Sequence, residues 1–227
     1  MLIPSVLVTF ALPQESRDFR EALRRRPRQE IRVEHFGVGP LMAAERIGRL
    51  LAMEKPQMLV CAGFAGGLDP RLALADLVVA ENLSTPDALA RARAAAAQDQ
   101  PRRVFGSIMS RAIPVESVPG KAALFRETGA LAVDMESEAI AAACRVAAVP
   151  LLVVRVISDP AGAPLPVPFA EWFDLQRQRP RVFGLVKYLA FHPGRIGPFA
   201  QFVCGLTPAR RALAEFLLAF LDRESPA

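Results

Sequence analysis

Short, nearly unbroken apolar runs alternate along this chain with longer stretches in which apolar residues recur every three or four positions. The short runs predict strands at Ser5–Phe10, Ile31–Phe36, Gln57–Cys61, Asp76–Ala80, Arg103–Ile108, Leu131–Val133 and Leu151–Ile157. The longer stretches predict helices at Glu15–Arg25, Pro40–Met53, Asp87–Gln98, Lys121–Glu127 and Glu136–Ala147. Such alternation implies a mainly parallel sheet covered by helices on both faces. No repeat or low-complexity linker breaks the pattern beyond the alanine-rich stretch Ala88–Ala97, so one α/β domain is expected.

The pattern changes toward the C-terminus. Between Gln176 and Arg211 the basic residues Arg177, Arg179, Arg181, Lys187, Arg195, Arg210 and Arg211 stand without an acidic one, interleaved with Phe183, Leu185, Val186, Tyr188, Leu189, Phe191, Ile196, Phe199, Phe202 and Val203. Short apolar stretches flanked by Arg and broken by Pro193, Gly194, Gly197 and Pro198 suit a segment lying against a membrane surface. They equally suit a helix pair packed on the sheet with Arg at its solvent edge.

Composition narrows the functional classes. Apolar residues make up 52% of the 227 positions, and the mean hydropathy is +0.25, which excludes a disordered, highly charged chain. The net charge of +5 permits an anionic partner, but the Arg residues scatter along helices and nucleic-acid binding is not expected. Cys61, Cys144 and Cys204 are far apart and form no CxxC, which suits a reducing cytoplasm, and Cys144 reads as plain core. The opening MLIPSVLVTFAL reads as a first strand rather than a signal peptide, and no apolar run reaches the length of a membrane span. With only His35 and His192, a histidine metal site or a Ser-His-Asp triad has little material, and no cofactor is expected.

Candidate chemistry gathers on three acids. Glu15 follows the first strand in FALPQES, Glu136 opens a helix, and Asp159 leaves the strand Leu151–Ile157. In open α/β sheets ligands bind beyond the carboxyl ends of strands, and a helix start adds donors and positive potential. Each position has an ordinary structural use as well: an acid at a helix start stabilises the first turn. The glycines of Cys61-Ala-Gly-Phe-Ala-Gly-Gly67 follow a strand and form either a tight turn or a place where backbone approaches a ligand; they lack the GxGxxG spacing of a dinucleotide site.

These pieces (FALPQES, FGVGPLMAAE, CAGFAGGLDP with ADLVVAE, VDMESEAIAAAC and PLLVVRVISD) resemble the nucleoside phosphorylase-I superfamily, in particular its methylthioadenosine/S-adenosylhomocysteine nucleosidase branch. The resemblance spans roughly residues 3–160. It implies a single three-layer α/β domain with a mixed, barrel-like twisted sheet flanked by helices, assembled as a dimer or larger homo-oligomer. It also implies cleavage of a purine ribonucleoside's N-glycosidic bond. Carried over by position, Asp159 protonates the departing purine, Glu136 binds the ribose hydroxyls with Met135 packed on the sugar, and Glu15 activates water. Phe64, Ala65 and Gly66 fall in the glycine segment beside the substrate. An Asp holding a proton near neutral pH would need apolar or carboxylate-rich surroundings.

Relatives that use phosphate place an Arg and a Ser around the glycine segment, where this chain has Cys61 and Phe64, so hydrolysis is expected over phosphorolysis. Phe64 also departs from the small polar residue usual in the nucleosidases. The segment matching the adenine wall reads Ala-Ile-Pro-Val-Glu, so Ile113, Pro114 and Val115 offer apolar walls without a ring. The ending RPRVFGLVKYLAFHPGRIGPF is similar to the hopanoid-associated phosphorylase-like enzymes of bacteria, which implies adenine release from adenosylhopane. The resulting expectation is an α/β nucleosidase region over residues 1–175 and a basic, apolar C-terminal helical extension over 176–227. Its substrate would be a small-molecule or lipid-linked adenosyl compound. The location would be cytoplasmic, with peripheral contact with the inner membrane through residues 176–211. The alternatives are a soluble methylthioadenosine/S-adenosylhomocysteine nucleosidase, a phosphate-dependent phosphorylase, and a non-catalytic membrane-peripheral binding protein.

Overall fold

The structure is a computed structural model that describes residues 5–28, 30–95 and 102–222. Its elements follow the alternation in the sequence: β1 (Val6–Phe10), α1 (Arg17–Arg25), β2 (Ile31–His35), α2 (Pro40–Met53), β3 (Met58–Gly67), β4 (Leu77–Ala80) and α3 (Pro86–Ala94). After them come β5 (Arg103–Gly106), β6 (Ile108–Ser110), α4 (Val118–Thr128), β7 (Ala132–Asp134), α5 (Ser137–Ala147) and β8 (Leu151–Asp159). The expected end of the third helix, Ala96–Gln98, lies outside the described residues. The expected strand Arg103–Ile108 divides at Ser107 into β5, which pairs with β4, and β6, which pairs with β7. Helix α4 starts before Lys121 because Ser117 caps it, its Oγ accepting from the Gly120 N–H at 3.2 Å.

The sheet runs β2-β1-β3-β8-β4-β5, with β7 on β3 and β6 on β7. It is mostly parallel; β4 against β8 and β7 against β3 are the antiparallel pairs. Alternate residues of β1 feed opposite faces, as the two-residue period of a strand requires. Val6, Val8 and Phe10 pack with Phe19 of α1, while Leu7 joins Ile47, Leu51, Ile140 and Cys144 of α2 and α5. With both faces covered, β1 and β8 are buried along their whole length. Each fully buried Leu or Phe contributes about 1.5–3 kcal/mol.

β3 departs most from expectation. The glycine segment is not a turn: the strand continues through Gly63, Gly66 and Gly67, paired along one edge with β8. On its other edge β1 pairs only up to Cys61, and β7 takes over at Gly66. Between those pairings the edge of β3 carries no strand among the described residues, and the gap opens the sheet.

The segment after β8 forms α6 (Phe169–Trp172), the small β9–β10 pair (Phe173–Asp174, Arg179–Pro180), α7 (Val182–Phe191) and α8 (Ile196–Asp222). Gly197 and Pro198 do not interrupt α8; they lie in its first turn, where proline costs no hydrogen bond. The second half of α8 buries Leu213, Phe216, Leu217 and Phe220 against the sheet, whereas Val182, Phe183, Val186, Phe191 and Ile196 are exposed. Part of the basic set is paired with acids further upstream, Arg210 with Asp18 at 2.9 Å and Arg177 with Asp174 at 3.8 Å. Among the described residues no helix is long and apolar enough to cross a membrane.

Candidate active site

A cavity of about 540 Å³ lies where β1 and β7 part from each other along β3. Its wall includes Glu15, Glu136 and Asp159, together with Phe64, Ala65, Gly66, Pro114, Val115 and Met135. The three acids thus face one hollow from the β1–α1 loop, the start of α5 and the end of β8. Ile113 is the exception among the expected contacts: its side chain is 77% exposed and it does not line the cavity. Pro114 and Val115 turn inward at this point, leaving Ile113 on the outer side.

Glu15 sits against the unpaired stretch of β3. Its Oε1 accepts from the Phe64 N–H at 3.2 Å and its Oε2 from the Leu12 N–H at 3.0 Å. Burial pushes its carboxyl above the ordinary range, while those two N–H groups and Arg155 pull it back. A carboxylate so balanced is a better base than a free one near neutral pH. Gly63 is needed for this packing, since a Cβ there would stand 2.4 Å from Arg155 Nη1 and 3.3 Å from Glu15 Oε1.

Glu136 sits at the N-cap position of α5, but its side chain turns away from the helix and accepts from the Gly39 N–H at 2.7 Å. Gly39 adopts φ +97°, a left-handed conformation that glycine tolerates and that aims this N–H at the carboxylate. Burial raises the Glu136 carboxyl well above the usual range, and the neighbouring Asp134 charge adds to the rise.

Beneath these groups lies Arg155, 1% exposed in the middle of β8. Its Nε donates to Asp134 at 2.6 Å, and its Nη2 donates to Ser137 Oγ at 2.9 Å and toward Cys61 Sγ at 3.3 Å. Burial works against its charge, but the neighbouring carboxyls of Asp134, Glu136 and Glu15 hold it protonated. Asp134 is further held by Ser110 and Ser137. The Cys61 thiol, pushed up to about 12 by burial, is chemically inert.

Asp159 shares its cavity with the other acids, but its direct partners are a cation and a hydroxyl rather than apolar groups or carboxylates. Lys121, with no exposed surface, donates to its Oδ2 at 2.5 Å, and Ser158 Oγ donates to Oδ1 at 2.6 Å. Gly66 makes room here, because a Cβ would lie 3.1 Å from Asp159 Oδ2.

The Ala112–Glu116 segment brings no ring to the cavity, but α6 and β9 do. Phe169, Trp172 and Phe173 line the cavity, with Phe169 and Trp172 edge-to-face at 4.8 Å. Glu116 anchors this wall by accepting from the Phe169 N–H at 2.6 Å. Leu165, Pro180, Phe202 and Leu206 extend the apolar lining toward α7 and α8.

The phosphorylase superfamily family model matches residues 80–189. A methylthioadenosine/S-adenosylhomocysteine nucleosidase of Marinomonas sp. (strain MWYL1) is 30% identical over 171 residues, covering 61% of this chain and 72% of the relative. The chain belongs to the phosphorylase superfamily. The protein is accordingly an enzyme of the nucleosidase and nucleoside phosphorylase class, which removes the expectation of a non-catalytic binding protein. Solved structures share its fold. Futalosine hydrolase of Helicobacter pylori strain 26695 superposes with a TM-score of 0.71 at 19% identity, over 97% of this chain and 98% of its own. S-adenosylhomocysteine nucleosidase of Streptococcus pyogenes, in complex with 5-methylthiotubericidin, gives 0.71 at 20% identity, over 100% and 99%.

Within this phosphorylase-superfamily fold, the ionisable side chains that line the cavity are all carboxyls. Glu15, Asp134, Glu136 and Asp159 line it, and among the described residues no Arg or Lys does. Asp134, Arg155, Lys121 and the aromatic wall were not singled out by sequence reasoning. Arg155 left a signal, a lone charge inside LLVVRVIS. Lys121 left a fainter one, three positions before the buried Leu124 on the same helix face.

Proposed function

We propose that the protein hydrolyses the N-glycosidic bond of an adenosyl compound and releases adenine. Asp159 delivers a proton to the purine as the bond to C1′ lengthens. Glu136 holds the ribose hydroxyls beside Met135, and Glu15 takes a proton from the attacking water. Protonating the base makes it a neutral leaving group, and the carboxylates stabilise the positive charge that develops on the sugar. The observation that carries hydrolysis over phosphorolysis is a cavity wall whose ionisable side chains, among the described residues, are all carboxyls. Arg155, the cation nearest Glu15 among the described residues, is buried beneath the wall and bound to Asp134 and Ser137, so a phosphate dianion entering beside Glu15 would find no free cation to receive it, whereas water is neutral.

The finer part of the proposal concerns the 5′ substituent, which we place in the apolar arm formed by Leu165, Phe169, Trp172, Pro180, Phe202 and Leu206. That arm suits a long hydrocarbon, as in adenosylhopane, and ends near the exposed apolar side chains of α7. Val182, Phe183, Val186 and Phe191, with the exposed Arg179, Arg181, Lys187 and Arg195, support peripheral contact of residues 176–211 with an anionic inner-membrane surface. A cytoplasmic location belongs to the same proposal, as does a homo-oligomer, supported by the exposed Leu41, Met53 and Val146 on α2 and α5. A second reading, a nucleosidase for small soluble thioadenosines, is favoured by the name of the Marinomonas relative.

Adenine release from methylthioadenosine, S-adenosylhomocysteine and a 5′-alkylated adenosine, each with and without phosphate, tests these readings. Phosphate-independent release, fastest for the alkylated compound, is expected. Release that requires phosphate would overturn hydrolysis, and preference for the small thioadenosines would overturn the lipid substrate.

A further inference from the structure

Lys121 has no role in the reaction as described so far, yet it is placed with unusual care. Its ammonium group has no exposed surface, and four oxygens surround it. These are Asp159 Oδ2 at 2.5 Å, the Asp159 carbonyl at 3.1 Å, the Pro160 carbonyl at 3.1 Å and the Ala163 carbonyl at 2.9 Å. Three carbonyls with no charge of their own leave Asp159 as its only anionic partner among the described residues. Taking an ammonium fully out of water is costly, and replacing such a pair with packed apolar residues is often neutral or stabilising. An ion pair at the substrate wall therefore calls for a reason other than stability.

We infer that Lys121 is a positioning residue that supplies the proton Asp159 delivers, a role that rests on the nucleosidase reading above. An anionic Asp159 has no proton to give. A proton passing from Lys121 Nζ to the Asp159 carboxylate leaves a neutral amine and a neutral acid. Asp159 then gives its proton to the purine N7 while the C1′–N9 bonding pair moves to the base, so adenine departs neutral. Water adds hydroxide to C1′ and loses its other proton to Glu15. Exchange with solvent discharges Glu15 and recharges Lys121. The three carbonyls keep the ammonium fixed on Asp159, and Ser158 on Oδ1 keeps the carboxyl from rotating away.

The test compares two leaving groups on one sugar: 5′-octylthioadenosine, and the corresponding 4-nitrophenyl riboside, whose nitrophenolate leaves as an anion and needs no proton. Lys121→Met is expected to slow adenine release by about 100-fold or more, the scale of general acid catalysis, while nitrophenolate release changes by less than about fivefold. Lys121→Gln, which keeps two N–H donors for the carbonyls but has no transferable proton, should behave the same way should the Met variant fold poorly. Equal losses on both substrates, or adenine release that stays at the wild-type rate, would overturn the proton-supply role and leave the nucleosidase reading intact. A wild-type protein that cleaves neither compound would overturn both.

Discussion

Replacing Arg155 by Met removes the one cation, among the described residues, held within hydrogen-bonding distance of Asp134 and close to Glu15 and Glu136. Methionine fills similar length without charge, so packing is roughly kept while Asp134 loses its 2.6 Å partner deep in the sheet. Breaking a buried pair by deleting one member costs about 3–5 kcal/mol, because the remaining charge stays desolvated. That is a large share of the roughly 5–15 kcal/mol by which domains are stable. With a urea sensitivity of about 2 kcal/mol per molar, the unfolding midpoint is expected to fall by about 2 M. Adding Asp134→Asn in the same chain removes the orphaned charge, and the double variant should recover a substantial part of the loss. Urea titrations followed by circular dichroism, combined as a double-mutant cycle, give the coupling directly. A single variant within about 1 kcal/mol of wild type, or strict additivity of the two changes, would refute the view that Arg155 neutralises this acidic site.

Other consequences follow from the same groups. Burial and the Asp134 charge raise the Glu136 carboxyl above its ordinary value of 4.5, so the folded state keeps a proton the unfolded chain has already released. Its contribution is therefore fully present below that value and is lost as pH rises through the raised one. Glu136→Gln should melt higher than wild type at pH 8, with the difference vanishing near pH 4, and should raise KM by losing the ribose contact; parallel pH slopes would contradict this. The exposed Phe183 and Phe191 are expected to enter lipid, each contributing about 1.5–3 kcal/mol. Replacing both by Ser should lower cosedimentation with phosphatidylglycerol vesicles at least tenfold, and unchanged binding would remove α7 from any membrane contact.

The alternation of strands and helices was legible because β1, β4 and β8 are buried on both faces and read as plain apolar runs. The convergence of Glu15, Glu136 and Asp159 was legible from their places at strand and helix ends. The continuation of β3 through Gly63–Gly67 was not, since glycine signals a turn by default. Here it marks close approach of Arg155, Glu15 and Asp159 to the backbone, which depends on residues distant in sequence. The aromatic wall lay hidden in Phe169–Phe173, too short for periodicity to speak. Lys121 was hidden for a different reason: a lysine on a helix ordinarily faces water, and only the fold shows an aspartate waiting beneath it.

Steady-state adenine release by wild type, Asp159→Asn and Glu15→Gln in phosphate-free buffer bears most directly on the claim that these carboxylates act together on one glycosidic bond. Each substitution is expected to lower kcat by about 100- to 10,000-fold, with circular dichroism spectra matching wild type. Variants that turn over within tenfold of wild type would contradict it.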